Sequence, residues 1–298
     1  KAHGLLKLAL QQIKQGQEKN AKTNLELAHR EFKATVEEIN DKDPETFYLW
    51  GRTIRNLKKY EDAISKLDTA VSLNDDYLDS YLLQAEIYEK ELGQLNKAVE
   101  EFEHALRLQP ENIVFLTHTA GLYDKLKKPE KALETYKKIL ALDEDHIKAN
   151  FQTGFYYRSY HSKHEKALNH FNTVLRKKSD HKKALYNKGL CLVKLQKYNA
   201  AIYPLEEYVE LDNKNYIVYY LLGDCYFQEE RYDKSIAAYK KALENNPAHY
   251  PSMNNLSYIY AEEEKHLEDA LKLSTEALEN NADKVSYMDT AGWVHYKR

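Results

Sequence analysis

Small residues recur along this chain at a nearly constant spacing of 34 or 35 positions. They are Gly51, Ala85, Ala120, Gly154, Gly189, Gly223, Ser257 and Gly292. A second small residue follows each of the first seven after 12 or 13 positions, and a third mark always lies 7 positions beyond the second. A chain with such a period folds as a stack of similar units, each in contact with its neighbours, and not around one globular core.

The two gaps within each repeat differ in whether their length varies. The 7-residue gap is fixed, whereas the gap between the first two marks is 13 in the repeats that contain Ala98, Ala167 and Ala270 and 12 in the others. An extra residue inside a helix would rotate every later side chain by about 100°, but an extra residue in a turn is tolerated. We therefore expect each repeat to consist of a helix A, a turn that holds the extra residue, and a helix B.

Aromatic residues recur in the same register as the small residues. In helix A they are Tyr88, Tyr123, Tyr157, Tyr226 and Tyr260, and in helix B they are Phe102, Tyr136, Phe171 and Tyr239. This pattern resembles the tetratricopeptide repeat over about residues 44 to 298, although the closing proline of that family occurs only as Pro110 and Pro247. The resemblance implies an all-α, right-handed α-solenoid of antiparallel helix pairs, with helix A lining a concave groove.

The period also predicts the organisation of the chain. We expect seven repeats within residues 44–284, with bounds 44–77, 78–112, 113–146, 147–181, 182–215, 216–249 and 250–284. Residues 1–43 have helical periodicity and read as a helix pair, either a degenerate repeat or an N-terminal cap. Residues 285–298 read as helix A of a truncated eighth repeat. Since stacked repeats need a polar cap, we expect the native protein to continue beyond Arg298.

Composition and motifs argue against several functional classes. The 44 basic and 47 acidic side chains give a net charge of −3, which provides no global attraction to nucleic acid. No apolar run approaches the roughly 18 residues that a membrane span requires. The sequence has no glycine-rich phosphate loop, no GxSxG and no HExxH. We therefore expect neither an enzyme nor a bound cofactor.

The densest group of histidines lies in the fourth repeat, at His161, His164 and His170. Imidazole groups bind zinc or nickel, but the turn that carries the first two gives no reason for all three to converge. We expect these three histidines to be exposed and to bind no metal, and they are only weak metal candidates. Cys191 and Cys225 occupy the same place in successive repeats, and we expect both to be small buried residues.

The residues expected to face the groove change in character along the chain. In the first repeats they are charged and of mixed sign, whereas from Phe151 onward they are mostly aromatic. Exposed aromatic and basic side chains are typical anchors for a partner. The candidate partner-binding residues are Arg52, Arg55, Phe151, Phe155, Arg158, Tyr186, Lys194, Tyr220, Asp224, Phe227, Asn254, Tyr258 and Trp293. Basic residues in the first half of the aromatic stretch favour a peptide with apolar anchors and some acidic residues.

These features predict a non-catalytic scaffold or adaptor that holds a peptide or a partner protein in the groove. Three alternatives stay open: packing or self-occlusion of the aromatic residues, a recognition arm of a larger enzyme or of an envelope or secretion assembly, and a glycan-binding module. A homo-oligomer is compatible with the sequence. The final repeats, with NNLSYIYAEEEKHLEDALKL and AGWV, resemble those of bacterial tetratricopeptide proteins, including cell-envelope lipoproteins. We therefore expect a bacterial protein, with the envelope and the cytoplasm both open as its location.

Overall fold

The computed structural model describes residues 1–39 and 42–298, and every regular element within these ranges is helical. The chain divides into two compact units, Lys1–Glu144 and Asp145–Arg298. In both units the fold is the expected α-solenoid, in which successive helices form antiparallel pairs. None of the helices in the described ranges is long and apolar enough to cross a membrane.

The first unit contains eight α-helices within the described residues. They are α1 (Ala2–Lys14), α2 (Glu18–Ile39), α3 (Pro44–Asn56), α4 (Tyr60–Leu73), α5 (Leu78–Glu86), α6 (Leu95–Leu108), α7 (Ile113–Lys125) and α8 (Pro129–Leu142). The second unit contains α9 (Ile147–Ser159), α10 (His164–Lys177), α11 (Lys182–Lys194), α12 (Tyr198–Leu211), α13 (Tyr216–Gln228), α14 (Tyr232–Asn245), α15 (Tyr250–Glu262), α16 (Leu267–Glu279) and α17 (Val285–Lys297). From α3 onward, odd-numbered helices correspond to helix A and even-numbered helices to helix B.

A glycine at the first mark allows helix B to approach helix A closely. A Cβ atom added to Gly223 would lie 2.5 Å from the ring of Tyr239, and one added to Gly189 would lie 2.5 Å from the side chain of Leu205. Both distances are far inside van der Waals contact. By contrast, a Cβ on Gly292 in α17 would meet nothing within 4 Å. The repeated small residues therefore reflect direct contact between the two helices of a pair.

The extra residue of the longer repeats is accommodated in two ways. Between α9 and α10, and again between α15 and α16, it lies in the turn, as predicted. In the repeat that contains Ala98 this expectation is wrong, because α5 continues into a π-helical turn at Ile87–Glu91. The Leu92 amide donates to the Ile87 carbonyl at 3.0 Å across this wider turn. A π-helical turn takes in one residue while keeping the backbone hydrogen-bonded, so a helix end can absorb the insertion.

The first two helices pack like the pairs that follow them. Leu6 of α1 and Ala28 and Phe32 of α2 are buried. The indole N–H of Trp50 in α3 donates to Nδ1 of His29 in α2 at 3.0 Å, which ties this pair to the first predicted repeat. Residues 1–39 thus extend the stack of the first unit.

Candidate partner-binding pocket in the second unit

Several predicted groove residues of the first unit form ion pairs within that unit. Arg55 Nη2 lies 3.0 Å from Glu86 Oε1 and 3.3 Å from Glu91 Oε1. Lys125 Nζ lies 2.6 Å from Glu89 Oε1. Arg52 lies half-buried beside α1, where it lines a pocket of about 390 Å³. On this face, the face formed by the helices A, most of the mixed charges are paired with one another.

Two aromatic candidates in the second unit mainly serve packing. The ring of Phe151 lies 6.0 Å from that of Phe171 and 5.1 Å from that of His181. Tyr186 lies 6.0 Å from Tyr208, which is itself buried. Both side chains are half-buried against helix B residues, so they contribute less free surface than the sequence predicted.

Four other candidates lie apart from one another, on three different helices A of the second unit. The guanidinium of Arg158 lies over the ring of Phe155, 5.4 Å from its centroid. Lys194 is exposed at the end of α11. Trp293 stacks on Tyr296 with ring centroids 5.4 Å apart. These residues lie on α9, α11 and α17 and do not line one common pocket.

The remaining five candidates converge on one pocket of about 440 Å³ in the second unit. They are Tyr220, Asp224, Phe227, Asn254 and Tyr258. Tyr220, Asp224 and Phe227 are spaced at i, i+4 and i+7 on α13, which places them on one face of that helix. The pocket is completed by Val193, Tyr198, Gln228, Tyr239, Asn255, Ser286 and Thr290. We call this group of residues the α13–α15 pocket.

Aromatic rings form much of the wall of the α13–α15 pocket. Phe227 meets Tyr258 edge to face with ring centroids 6.0 Å apart. Tyr220 lies 6.0 Å from the buried Tyr239. Tyr258 keeps 36% of its surface exposed, so its ring is accessible at the pocket mouth. Such rings offer apolar area together with negatively polarised faces.

Asp224 is the one carboxylate among the residues that line this pocket. The Tyr239 hydroxyl donates to its Oδ1 at 2.6 Å, and Asn255 Nδ2 donates to the same oxygen at 3.0 Å. Tyr220 is a third hydrogen-bond partner. Burial raises the pKa of Asp224, and these hydrogen bonds offset the rise only in part. Among the described residues, the groups that act on this carboxyl are two phenols and an amide, and none is a cation.

Asn254 is buried more deeply than an exposed groove position would be, with 8% of its surface accessible. Its Nδ2 donates to Asn255 Oδ1 at 3.1 Å. Its own Oδ1 is buried and accepts no hydrogen bond from the described residues. An unpaired buried acceptor costs about 1–3 kcal/mol. A ligand that donates a hydrogen bond to this oxygen would remove that cost.

Sequence reasoning did not select Tyr239 and Asn255 as site residues. Tyr239 follows the small residue Ser235 at the spacing of a core aromatic, and it does pack against Gly223. Only its hydroxyl reaches the pocket residue Asp224. Asn255 directly follows a predicted groove position, which was a usable signal for a second amide beside the pocket.

The three histidines are not arranged as a metal site. His170 Nδ1 lies 2.9 Å from Asn150 Oδ1, and its ring stacks on Tyr157 at 5.6 Å. His161 contacts the same tyrosine at 6.1 Å. Within residues 1–39 and 42–298, no three His, Cys, Asp or Glu side chains are grouped to hold a metal ion.

The two cysteines are buried in the second unit, as expected. Burial raises the pKa of Cys191 to about 11 and that of Cys225 to about 12. Both thiols are therefore protonated at neutral pH, and neither is activated as a nucleophile.

Family models described as tetratricopeptide repeat match residues 78–112, 118–146, 155–216 and 216–249. The chain is a tetratricopeptide repeat protein. The matched ranges 78–112 and 216–249 have the same bounds as two predicted repeats, and the division of residues 44–284 into seven repeats stays a prediction. The bacterial origin expected from the final repeats also stays a prediction.

Curated and solved tetratricopeptide repeat proteins resemble this one in sequence and fold. BBSome complex member BBS4 of Bos taurus is 27% identical over 232 residues, which cover 78% of this chain and 43% of that protein. A structure described as YrrB, "a TPR protein with an unusual peptide-binding site", is 25% identical with a TM-score of 0.59 and covers 65% of this chain and 100% of its own. PilF of Pseudomonas aeruginosa is 17% identical with a TM-score of 0.54, covering 73% and 98% of the two chains.

This tetratricopeptide repeat chain spans less than half the length of the curated relatives BBS4 of Bos taurus and tetratricopeptide repeat protein 8 of Caenorhabditis elegans. The likeness to PilF shows the fold alone. The description of YrrB refers to a peptide-binding site.

Proposed function

We propose that this protein is a non-catalytic interaction module that binds a peptide segment of a partner protein on the helix A face, with the α13–α15 pocket as the main contact. The observation that carries the proposal is the convergence of Tyr220, Phe227 and Tyr258 with two polar acceptors in one open pocket. Aromatic anchors and a few placed polar groups are typical of sites that bind peptide side chains.

The relatives support this proposal at the level of function class. YrrB is described as having a peptide-binding site, and BBS4 is described as a member of a protein complex. Burial keeps both cysteine thiols protonated, and no three His, Cys, Asp or Glu side chains of the described residues are grouped to hold a metal ion. A role in holding other proteins fits these findings better than a role in catalysis.

The test is binding to an array of random-sequence peptides. Wild-type protein is compared with a double variant in the pocket, Phe227→Ala with Tyr258→Ala. A matched double variant, Glu89→Ala with Lys125→Ala, removes an ion pair from the helix A face of the first unit and serves as control. We expect the wild type and the control to retain a common set of peptides that the pocket variant loses.

Other results would reassign the function. Equal retention by all three proteins would place the peptide site outside the pocket. Binding to a parallel glycan array but to no peptide would favour the glycan-binding alternative. Circular dichroism melting of each variant shows whether a loss of binding reflects unfolding.

A further inference from the structure

We propose that the α13–α15 pocket receives a cationic side chain, an arginine or a lysine, from the bound peptide. This inference rests on the proposed function and adds the charge of the residue that enters the pocket. It differs from the sequence expectation of acidic ligand residues. That expectation came from basic residues such as Arg158 and Lys194, which do not line this pocket.

Asp224 is a carboxylate with an unused acceptor site and no counter-ion among the described residues. A carboxylate accepts about four hydrogen bonds. Asp224 has three hydrogen-bond partners, Tyr239, Tyr220 and Asn255, so it can accept a further hydrogen bond. Its ionised form is disfavoured by burial, and no lysine, arginine or histidine of the described residues compensates. A cation in the pocket would pair with the carboxylate and favour its ionised form.

Asn254, which also lines the pocket, has an amide oxygen without a hydrogen-bond partner among the described residues. Asn254 Nδ2 is already committed to Asn255 Oδ1, and this contact fixes which end of the amide remains free. The free Oδ1 is an acceptor, is buried and has no partner among the described residues. Asp224 and Asn254 both line the pocket and both carry acceptors, and no described lining residue has a buried donor without a partner. Such a lining calls for a ligand with several N–H groups, such as a guanidinium or an ammonium.

Cations of the described residues lie over several aromatic rings of the second unit, but not over the rings that line this pocket. Elsewhere in the second unit, Arg158 lies over Phe155 and Lys297 lies over Trp293, at 5.4 Å and 5.2 Å from the ring centroids. Within the described residues, no lysine or arginine covers the rings of Tyr220, Phe227 or Tyr258. The charged group that acts on Tyr258 is the acidic Glu262. A ligand cation over such a ring contributes about 0.5–2 kcal/mol.

Arginine fits these features better than lysine. Its planar guanidinium can donate to a carboxylate and to a neighbouring amide oxygen at once, and it stacks on aromatic faces. Lysine would satisfy the same charge through a single compact ammonium group. The order of affinity expected for the pocket is therefore arginine, then lysine, then neutral side chains.

The test uses the full chain labelled with 4-fluorophenylalanine, so that ¹⁹F NMR reports on its 8 phenylalanines. The signal of Phe227 is assigned with a Phe227→Leu variant. The probes are N-acetylarginine amide, N-acetyllysine amide and N-acetylcitrulline amide, the last being a neutral mimic of arginine. We expect the arginine probe to shift the Phe227 signal in a saturable way, and the citrulline probe to bind about tenfold more weakly or worse.

Two charge-matched variants sharpen the test. Asp224→Asn keeps an acceptor for Tyr239 but removes the charge, and it should weaken the arginine probe by about tenfold or more. Glu89→Gln removes one charge from the first unit and should leave binding unchanged. If Asp224→Asn fails to fold, Tyr258→Leu replaces it, and weaker binding of the arginine probe is expected there as well.

Equal affinity for the arginine and citrulline probes, or no loss of affinity in Asp224→Asn, would overturn the proposal. Failure of every probe to move the Phe227 signal at tens of millimolar would also overturn it. These results leave the proposed function separately testable, because peptide retention that depends on Phe227 and Tyr258 would still stand if the pocket preferred neutral or acidic side chains.

Discussion

The helix A faces of the two units use charge in opposite ways. In the first unit, Arg55 pairs with Glu86 and Glu91, and Lys125 pairs with Glu89. In the second unit, Asp224 lies among aromatic rings and amides, and no cation of the described residues lies beside it. Equivalent faces of one repeat architecture can thus be closed by their own ion pairs or left open for a ligand. The open face is the better candidate for binding.

Two acids with raised pKa values extend this comparison. In the first unit, burial raises the pKa of Glu101 to about 7, with further contributions from the charges of Asp68 and Glu100. In the second unit, burial also raises the pKa of Asp224, but its neighbours are hydrogen-bond donors that favour the charge. Neighbouring carboxylates disfavour the ionised form of Glu101, whereas hydrogen-bond donors favour the ionised form of Asp224, which a cation can pair with.

The largest expected effect comes from adding a methyl group at the first mark of a repeat in each unit. The Cβ of Gly223→Ala would lie 2.5 Å from the Tyr239 ring, whose hydroxyl is held by Asp224. The Cβ of Gly51→Ala would lie 2.9 Å from Cγ of Leu67 and 3.1 Å from the Ala63 carbonyl oxygen, which are less severe contacts than the one at Gly223. We expect Gly223→Ala to lower the free energy of unfolding by about 3 kcal/mol and Gly51→Ala by about 1 kcal/mol.

Chemical denaturation of the two variants measures this difference. Gly292→Ala is the control, because its Cβ would meet no atom within 4 Å and alanine favours a helix by about 1 kcal/mol over glycine. Equal losses in Gly223→Ala and Gly51→Ala would show that the Tyr239 ring is no more rigidly held than Leu67. The Gly223→Ala variant should also lose peptide binding, since Tyr239 lines the α13–α15 pocket.

An intermediate effect is expected in the pH dependence of stability. Burial raises the pKa of Glu101 to about 7 in the folded chain, above its ordinary value of 4.5. Between these two values the folded state binds more protons than the unfolded state, so stability falls as the pH rises through this window. Glu101→Gln should flatten that decline and raise the Tm at pH above 7, most clearly at low ionic strength.

Thermal melting between pH 4 and pH 8 checks this prediction. Asp224→Asn is the matched variant in the second unit. The pKa of Asp224 is also raised, so its contribution to stability likewise falls as the pH rises. Among the described residues, the groups that act on Asp224 are Tyr239, Tyr220 and Asn255, and none is a second carboxylate. Added salt should therefore change its pH profile less than that of Glu101. Identical profiles for wild type and Glu101→Gln would contradict the raised pKa.

The sequence was sufficient for the helix pairs and for part of the pocket. The fixed spacing of the small residues identified Gly223, and helical spacing placed Tyr220, Asp224 and Phe227 on one face. The sequence could not separate the π-helical turn at Ile87–Glu91 from the two longer turns, because all three give the same gap of 13. A count of residues measures chain length and does not record which backbone hydrogen bonds absorb an insertion.

The sequence also did not predict which charged side chains form ion pairs. The pairs Arg55–Glu91 and Lys125–Glu89 each join residues 36 positions apart, on successive repeats. Whether such side chains meet depends on the rotation between neighbouring helices, which a linear spacing does not give. For the same reason Asn254 was placed on an exposed face, whereas its side chain is buried at the pocket.

The smallest expected effect concerns the turns, where the two units are alike. Lys58 in the first unit and Glu230 in the second adopt positive φ angles of 61° and 58°. In both turns the next amide bonds back to the helix, as when Arg231 donates to the Tyr226 carbonyl at 2.8 Å. Left-handed backbone costs a non-glycine residue about 1–2 kcal/mol, and a glycine variant relieves this cost. The greater conformational freedom of glycine in the unfolded chain offsets part of that gain in stability.

We therefore expect Lys58→Gly and Glu230→Gly each to raise the free energy of unfolding by about 0.5 kcal/mol. Denaturant titration of both variants measures the gains, and Lys58→Ala and Glu230→Ala are controls that keep the backbone strain. Equal gains would confine the difference between the units to their helix A faces, because the shared turn geometry would then carry the same energy in each. A gain in only one variant would show that the units also differ in how firmly their helix pairs are joined, and the contrast between paired and open faces would then be only part of the difference.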